Sequence, residues 1–486
     1  MIELRWYQKQ AIDMIDIEFQ KGNKKVLFVA SPGLGKTETA AWYMKRALQY
    51  KFPSMFVVRG RDLVSNASQR LDKNKIDHSV FMAGNWRRDE KKLLQVCSVD
   101  TMKSRKQFPF KGRRLVIFLD EAHKDYMLMF EQYPDAFFVG MTGTPYTDMS
   151  MYDVIVQPIA PYEARDMGFL VPDRIYCPHI MDTSAVKMSM GDFDKKQLAS
   201  VVTNSAVVGN IVQDWIELGQ DRPTVCFATN IEHSLQLKQA FCDAGIPAVH
   251  CDADSTDQER EKARKDLESG KVKILCNVDI FSTGWDCPIV SCIILARPTW
   301  SLCWYLQAVG RGVRSFPGKI DCIVLDNAGN VFRHGTHFKV REISLEKPIK
   351  RKSKAYETKI TTCMECYYAY DPSVHNACPD CGAVKEGSSK GINQIDGKLI
   401  EYEESPEERA ETRKKMILSK FRDLEWGRKS RNLHPEHSFI QLFKNFTREE
   451  MVHLKEVTRV PSRFLPHIEG EWRELDVHNI RGIKSF

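Results

Sequence analysis

Short, continuous apolar runs alternate with helix-length stretches along most of the chain. In the first 150 residues the runs are Val26–Val29, Met55–Val58, Leu115–Leu119 and Phe137–Met141. The same rhythm returns between residues 205 and 330, with Thr224–Phe227, Val272–Cys276, Ser291–Leu295 and Cys322–Leu325. Runs apolar on both faces, separated by helices, belong to parallel sheets covered on both sides. The pattern therefore predicts α/β architecture with two parallel-sheet domains, over 1–150 and 205–345, joined by a connector over 151–204.

The rhythm stops after Asp326. Lys347–Lys359 holds six Lys/Arg and one Glu, which predicts a basic linker over 346–360. A compact module is expected over 361–385, and a helical region over 386–486 that begins with a polar, Gly/Ser-rich stretch. Ser405-Pro406-Glu407-Glu408 reads as a helix start, with Ser as cap and Pro at the first helical position. Thr447 and Glu450 read as a second capping box, with Phe446 and Met451 as its staple.

Composition adjusts this picture modestly. At 486 residues, 43% hydrophobic and 28% charged, the chain can bury ordinary cores and is not wholly disordered. No apolar run approaches the roughly 18 residues of a membrane-spanning helix. Met1–Trp6 lacks a basic region ahead of an apolar core, so no secretory leader is expected. Lys plus Arg is 71 against 64 Asp plus Glu, a net +7 that permits a polyanionic partner without demanding one. Of 14 cysteines, ten are scattered, several inside apolar runs, and four are clustered. Scattered thiols with one tight cluster suit a reducing, intracellular compartment and a metal site, not a disulfide framework.

Cys363-x2-Cys366 and Cys378-x2-Cys381 have the spacing of two metal knuckles. Four thiolates suit tetrahedral Zn²⁺, and a segment of about 25 residues is too small to fold on its own core. An iron–sulfur cluster and redox-active pairs are the alternatives. Tyr367, Tyr368 and Tyr370 follow the first knuckle, where they either pack the module or stack on bases.

The clearest chemistry lies at the first apolar run. Ala30-Ser31-Pro32-Gly33-Leu34-Gly35-Lys36-Thr37 follows a strand and precedes a helix. Small residues let backbone N–H groups converge on phosphates, Lys36 supplies a point charge, and Thr37 supplies a hydroxyl for Mg²⁺. The third run ends in Asp120-Glu121-Ala122-His123. An acidic residue at the C-terminal end of a parallel strand faces the ligand crevice, where Asp120 can hold Mg²⁺ and Glu121 can orient or deprotonate water.

With these two elements in place, the chain resembles a superfamily 2 helicase over about residues 1–330, with motifs in that family's order. Arg5-Trp6-Tyr7-Gln8 resembles the Q-like motif, with Gln8 on adenine. Residues 30–37 match motif I, 120–123 motif II in its DEAH spelling, and Thr142-Gly143-Thr144-Pro145 motif III. Phe281–Pro288 resembles motif V, and Gln307-Ala308-Val309-Gly310-Arg311-Gly312-Val313-Arg314 matches motif VI. The resemblance implies two tandem RecA-like domains followed by a small zinc ribbon and helices. It implies that Arg311 and Arg314 reach the γ-phosphate, that Gln307 touches phosphate or water, and that Gly284 and Asp286 contact ribose or sense nucleotide. Thr142 and Thr144 would relay between nucleotide and polymer. Nucleic-acid contacts fall on Arg59, Arg61, Ser98, Thr101, Thr229 and Thr283, because a translocating enzyme holds backbone and not base edges.

A zinc module after the motor is similar to the RadD-like repair helicases, and the compact motor to phage branch-migrating helicases of the UvsW type. The implied enzyme is an ATP-, Mg²⁺- and Zn²⁺-dependent DNA helicase or translocase. It would unwind or branch-migrate forked or junction DNA in replication, recombination or repair, as a monomer with no membrane partner, in the cytoplasm of a bacterium or a phage-infected cell. A duplex translocase without strand separation, an RNA helicase and an ATP-switched scaffold are the alternatives.

Overall fold

The computed structural model describes residues 3–177, 205–280 and 286–346, with short pieces at 188–189, 192–193, 361–362, 369–370, 400–401, 412 and 415–417. The zinc-spaced Cys363, Cys366, Cys378 and Cys381 lie outside the described residues, as do Thr283, Gly284, the basic linker from 347, and both C-terminal capping boxes. The chain divides into two compact units, Met1–His337 with Ile343–Tyr402, and Phe338–Glu342 with Glu403–Phe486. Both large sheets belong to the first unit. In the second unit the described residues include helical 415–417, with Ile417 buried.

The first sheet is built from β1 (Lys25–Val29), β2 (Ser54–Val58), β3 (Ser79–Phe81), β4 (Leu94–Ser98), β5 (Val116–Asp120), β6 (Phe137–Thr142) and β7 (Val154–Val156), in the order β3-β4-β2-β5-β6-β1-β7. Every pairing in it is parallel. Helices α1 (Trp6–Gln20), α2 (Lys36–Gln49), α3 (Arg61–Lys73) and α4 (Val99–Arg105) are interleaved with the strands. All five residues of β2 and of β4 are buried, the signature of strands covered on both faces.

The second sheet runs in the order 248–251, 274–277, 224–227, 292–295, 322–325, 173–177, 400–401. It is parallel except for its last, two-residue strand. Its core gathers Trp215, Cys226, Phe241, Cys276, Cys292 and Ile323. These cysteines act as small hydrophobes, with burial pushing the Cys292 thiol up to about 12.

Two parallel-sheet α/β domains are therefore present. The stretch expected to be a connector needs correction. Val154–Val156 is the edge strand of the first sheet, and Asp173–Cys177 is an inner strand of the second, paired with Cys322–Leu325. Pairing partners more than 100 residues apart carry no local signal. Beyond the second sheet, Ile343 and Leu345 pack against the first core. No helix among the described residues is long and apolar enough to cross a membrane.

Candidate nucleotide site

Parallel strands place their C-terminal ends on one edge, and the first sheet sets β5, β6 and β1 side by side there. The loops leaving those three strands carry Asp120–Glu121, Thr142–Thr144 and residues 30–37. Three sequence-distant motifs thus become neighbours through sheet order alone.

The phosphate loop is shaped by Gly35, which sits at φ +74 as the cap of α2. A Cβ there would lie 2.4 Å from Gln8 Nε2. Gln8 Nε2 donates to the carbonyls of Gly35, at 3.2 Å, and Leu34, while Gln8 Oε1 accepts from Arg5 N–H. Gln8 is thereby locked to the loop from the first turn of α1. Ser31 and Leu34 are buried, Pro32 and Thr37 half-buried, and Gly33 exposed. Lys36 Nζ donates to Ala30 O at 2.8 Å. Burial pulls the Lys36 pKa down, against the opposing pull of Glu121 and Asp120.

Asp120 and Glu121 end β5 with their carboxylates adjacent. Burial first, then Glu121, pushes Asp120 up to about 6, although Lys36 pulls the other way. Its backbone is fixed by Tyr126 Oη, which donates to Asp120 O at 2.7 Å. Glu121 adopts φ +50, a left-handed conformation uncommon for a residue with a Cβ. His123 Nδ1 lies 3.4 Å from Glu121 Oε2 and 3.2 Å from Thr142 Oγ1, and Thr142 Oγ1 accepts Thr144 N–H. The second and third motifs are therefore joined through a histidine.

The second lobe meets this edge with its helix Leu302–Gly312. Gln307 Nε2 donates to Glu121 Oε2 at 3.3 Å, and Cys303 Sγ contacts Thr144 O. Gly310 permits the approach: a Cβ there would stand 2.9 Å from Pro32 Cγ in the phosphate loop. Arg311 is buried, and burial, then Arg314 alongside, pulls it down to about 9, which leaves it charged at neutral pH.

The stem of Arg314 crosses the phosphate loop so closely that a Cβ on Gly33 would meet Arg314 Cγ at 2.9 Å. Its guanidinium pairs with Asp286 Oδ1. Asp286 Oδ2 accepts from Arg70 of α3 at 3.3 Å, and Arg70 also binds Glu38, two residues beyond Lys36. Burial raises the Asp286 pKa, but Arg314, Arg70 and Arg311 outweigh it and hold the carboxyl below its usual value. Sequence reasoning missed Arg70 and Glu38, because a charged residue on an amphipathic helix looks like ordinary surface.

The expected polymer contacts divide. Arg59 and Arg61 are exposed at the C-terminal end of β2, with Arg59 Nη2 donating to Asp125 O at 2.9 Å. Ser98, Thr101 and Thr229 are buried. The Ser98 hydroxyl caps α4 and Thr101 Oγ1 accepts Ala83 N–H, so the fold itself uses these two groups.

Adjacent acids, a half-buried lysine on a glycine-shaped loop and arginines from a second lobe fit a nucleoside triphosphate with Mg²⁺. Thr37 and Asp120 would hold the metal, which would neutralise phosphate charge.

Comparison with known proteins agrees. The family model for the type III restriction enzyme res subunit matches residues 1–147, and that for the helicase conserved C-terminal domain matches residues 207–316. A 51.5 kDa protein of Lactococcus phage (isolate 7-9) is 25% identical over 76% of this chain and 81% of its own length. The Saccharomyces cerevisiae protein IRC3, named as an ATP-dependent helicase, is 26% identical over 67% of this chain, which spans only 51% of the yeast protein. A fragment of an HsdR-type subunit of a type I restriction enzyme from Vibrio vulnificus YJ016 shares the fold. Its TM-score is 0.55 at 18% identity, covering 71% of this chain and 67% of that one. With its paired lobes and both family models in register, the chain belongs to the superfamily 2 helicases, enzymes that hydrolyse ATP.

Proposed function

We propose that the chain is a DNA motor which clamps ATP at the seam between its lobes and uses turnover to unwind or branch-migrate forked or junction DNA. The observation that carries the reading is the Gln307–Glu121 hydrogen bond, because it brings the arginine-bearing helix onto the acids of motif II. Lys36 neutralises phosphate, Glu121 orients or deprotonates the attacking water, and Arg311 and Arg314 stabilise charge in the transition state. Arginine fingers supply about 10³–10⁵ in rate in general. Product release weakens the bridge, so the lobes open and close once per cycle. The exposed Arg59 and Arg61 hold the DNA backbone. Four thiolates, from Cys363, Cys366, Cys378 and Cys381, bind structural zinc.

The restriction-enzyme likeness of the first lobe supports DNA over RNA. It also favours a second reading, translocation along duplex without strand separation. One experiment separates them: ATP hydrolysis and strand separation measured on single-stranded, duplex, forked and four-way DNA and on duplex RNA. Stimulation by forked or four-way DNA with separated strands is expected. Stimulation by plain duplex with no separation would select the second reading, and no hydrolysis with any polynucleotide would end both. Glu121→Gln is expected to bind ATP and DNA without turning over; wild-type turnover would remove Glu121 from its role.

A further inference from the structure

We propose that residues 103–114 of the first lobe form a second polyanion-binding surface, which takes the phosphate backbone of a duplex DNA arm. The inference rests on the DNA reading above and adds a site outside its motifs. Lys103, Arg105, Lys106, Lys111, Arg113 and Arg114 fall within twelve residues that contain no Asp or Glu. All six are exposed.

Among the described residues, no ion pair neutralises their charge. Glu90 is engaged by Arg88, whose guanidinium also donates to Gln107 within the segment. Helix-dipole stabilisation accounts for Lys103 and Arg105 in the last turn of α4. It does not account for Lys111, Arg113 and Arg114, which lie outside any helix.

The surface is also shaped. Lys103, Lys106 and Lys111 line one depression of about 470 Å³ with Phe108, Leu128 and Gln132. Lys111 Nζ donates to Gln132 Oε1 at 2.9 Å and lies 5.7 Å from the Phe108 ring centre. Arg113 lies over Phe110 and Arg114 over Phe137, at 5.6 and 5.5 Å. Ring contacts orient the cations without cancelling their charge, which lowers the ordering cost of binding an anion.

Duplex is the partner that fits. Single-strand binding relies on open aromatic faces for bases to stack on. Here Phe108 and Phe110 pack against the lobe's core and lie under cations. What remains is a cationic surface for a backbone, and duplex DNA offers about one charge per 1.7 Å of axis. Lys111, Arg113 and Arg114 lead into the N-terminal end of β5, on the sheet edge opposite the nucleotide site.

The test is fluorescence anisotropy of the full chain on duplex and single-stranded DNA of equal length, across a salt series. Two triple variants are compared with wild type: Lys103→Gln with Lys106→Gln and Lys111→Gln, and Arg105→Gln with Arg113→Gln and Arg114→Gln. Each is expected to weaken duplex binding about tenfold or more at low salt. Each also flattens the slope of log K against log salt by about two to three, at about 0.9 for every phosphate no longer neutralised. Single-strand affinity is expected to change less than twofold, and circular dichroism verifies the fold of each variant. Wild-type slopes on duplex in both folded variants, or equal losses on single strands, would overturn the site. Competition by polyglutamate, with the duplex slope unaltered, would reassign it to an acidic protein. Wild-type protein that binds no DNA would sink the motor reading itself.

Discussion

Replacing Asp120 by Asn tests whether the site stores electrostatic strain. Burial and the neighbouring Glu121 move the Asp120 pKa from 3.8 to about 6. Its charged form is therefore less stable in the folded protein than in the unfolded chain. Above pH 6 the whole difference is felt. At about 1.36 kcal/mol per pKa unit it destabilises the first lobe by up to about 3 kcal/mol. As pH falls from 6 towards 3.8 the folded state takes up its proton first, and the penalty fades to about 1 kcal/mol near pH 4.5 and to nothing below. Asn keeps the shape, and its amide oxygen can still accept the Glu121 N–H that now meets Asp120 Oδ1 at 3.1 Å. Asp120→Asn is thus expected to stabilise the nucleotide-free protein at pH 7.5 while abolishing turnover. Calorimetry should show a transition raised by about 6–12 °C, at 2–4 °C per kcal/mol for a lobe of this size, with a gain about a third as large at pH 4.5. No gain at pH 7.5, or an equal gain at both pH values, would refute the account of why Asp120 is perturbed.

Three further outcomes are expected, two from the geometry and one from the cysteine spacing. Gly310→Ala places a methyl group 2.9 Å from Pro32 Cγ across the seam, so it should lower kcat tenfold or more in a protein whose circular dichroism is unchanged; wild-type kcat would show that the lobes need not approach this closely. Arg70→Ala removes half-exposed ion pairs to Asp286 and Glu38, each contributing about 1 kcal/mol or less, so kcat/KM should fall by less than about thirtyfold at low salt and by less still at high salt; a loss of about a thousandfold would place Arg70 in the chemistry. Elemental analysis should find one zinc per chain, lost together with the fold of residues 361–385 when Cys378 is changed to Ser; zinc-free protein with full activity would remove that module.

Whatever is contiguous was legible in the chain. The phosphate loop and the Asp120–Glu121 pair each reside in one strand–loop junction, where local backbone geometry and residue chemistry are read together. Strand–helix alternation likewise announces a doubly covered parallel sheet, since each buried run must be apolar by itself. β3 escaped notice because three residues are too short a run to show a pattern, and Asp173–Cys177 because its place is set by Cys322–Leu325 far along the chain.

The seam was only half legible. Gln307 and Glu121 are 186 residues apart, and their hydrogen bond depends on how two sheets are ordered and docked. The sharing of Asp286 between Arg314 and Arg70 has the same origin, and no pattern in α3 signals it. Burial, too, was decided in three dimensions: Ser98 and Arg59 both leave strand ends, yet one hydroxyl turns inward to cap a helix and the other side chain stays exposed. Sequence determines which groups can do chemistry because composition and local conformation are properties of neighbours. Tertiary structure decides which of them meet, because that depends on long-range packing which desolvates some charges and leaves others in water.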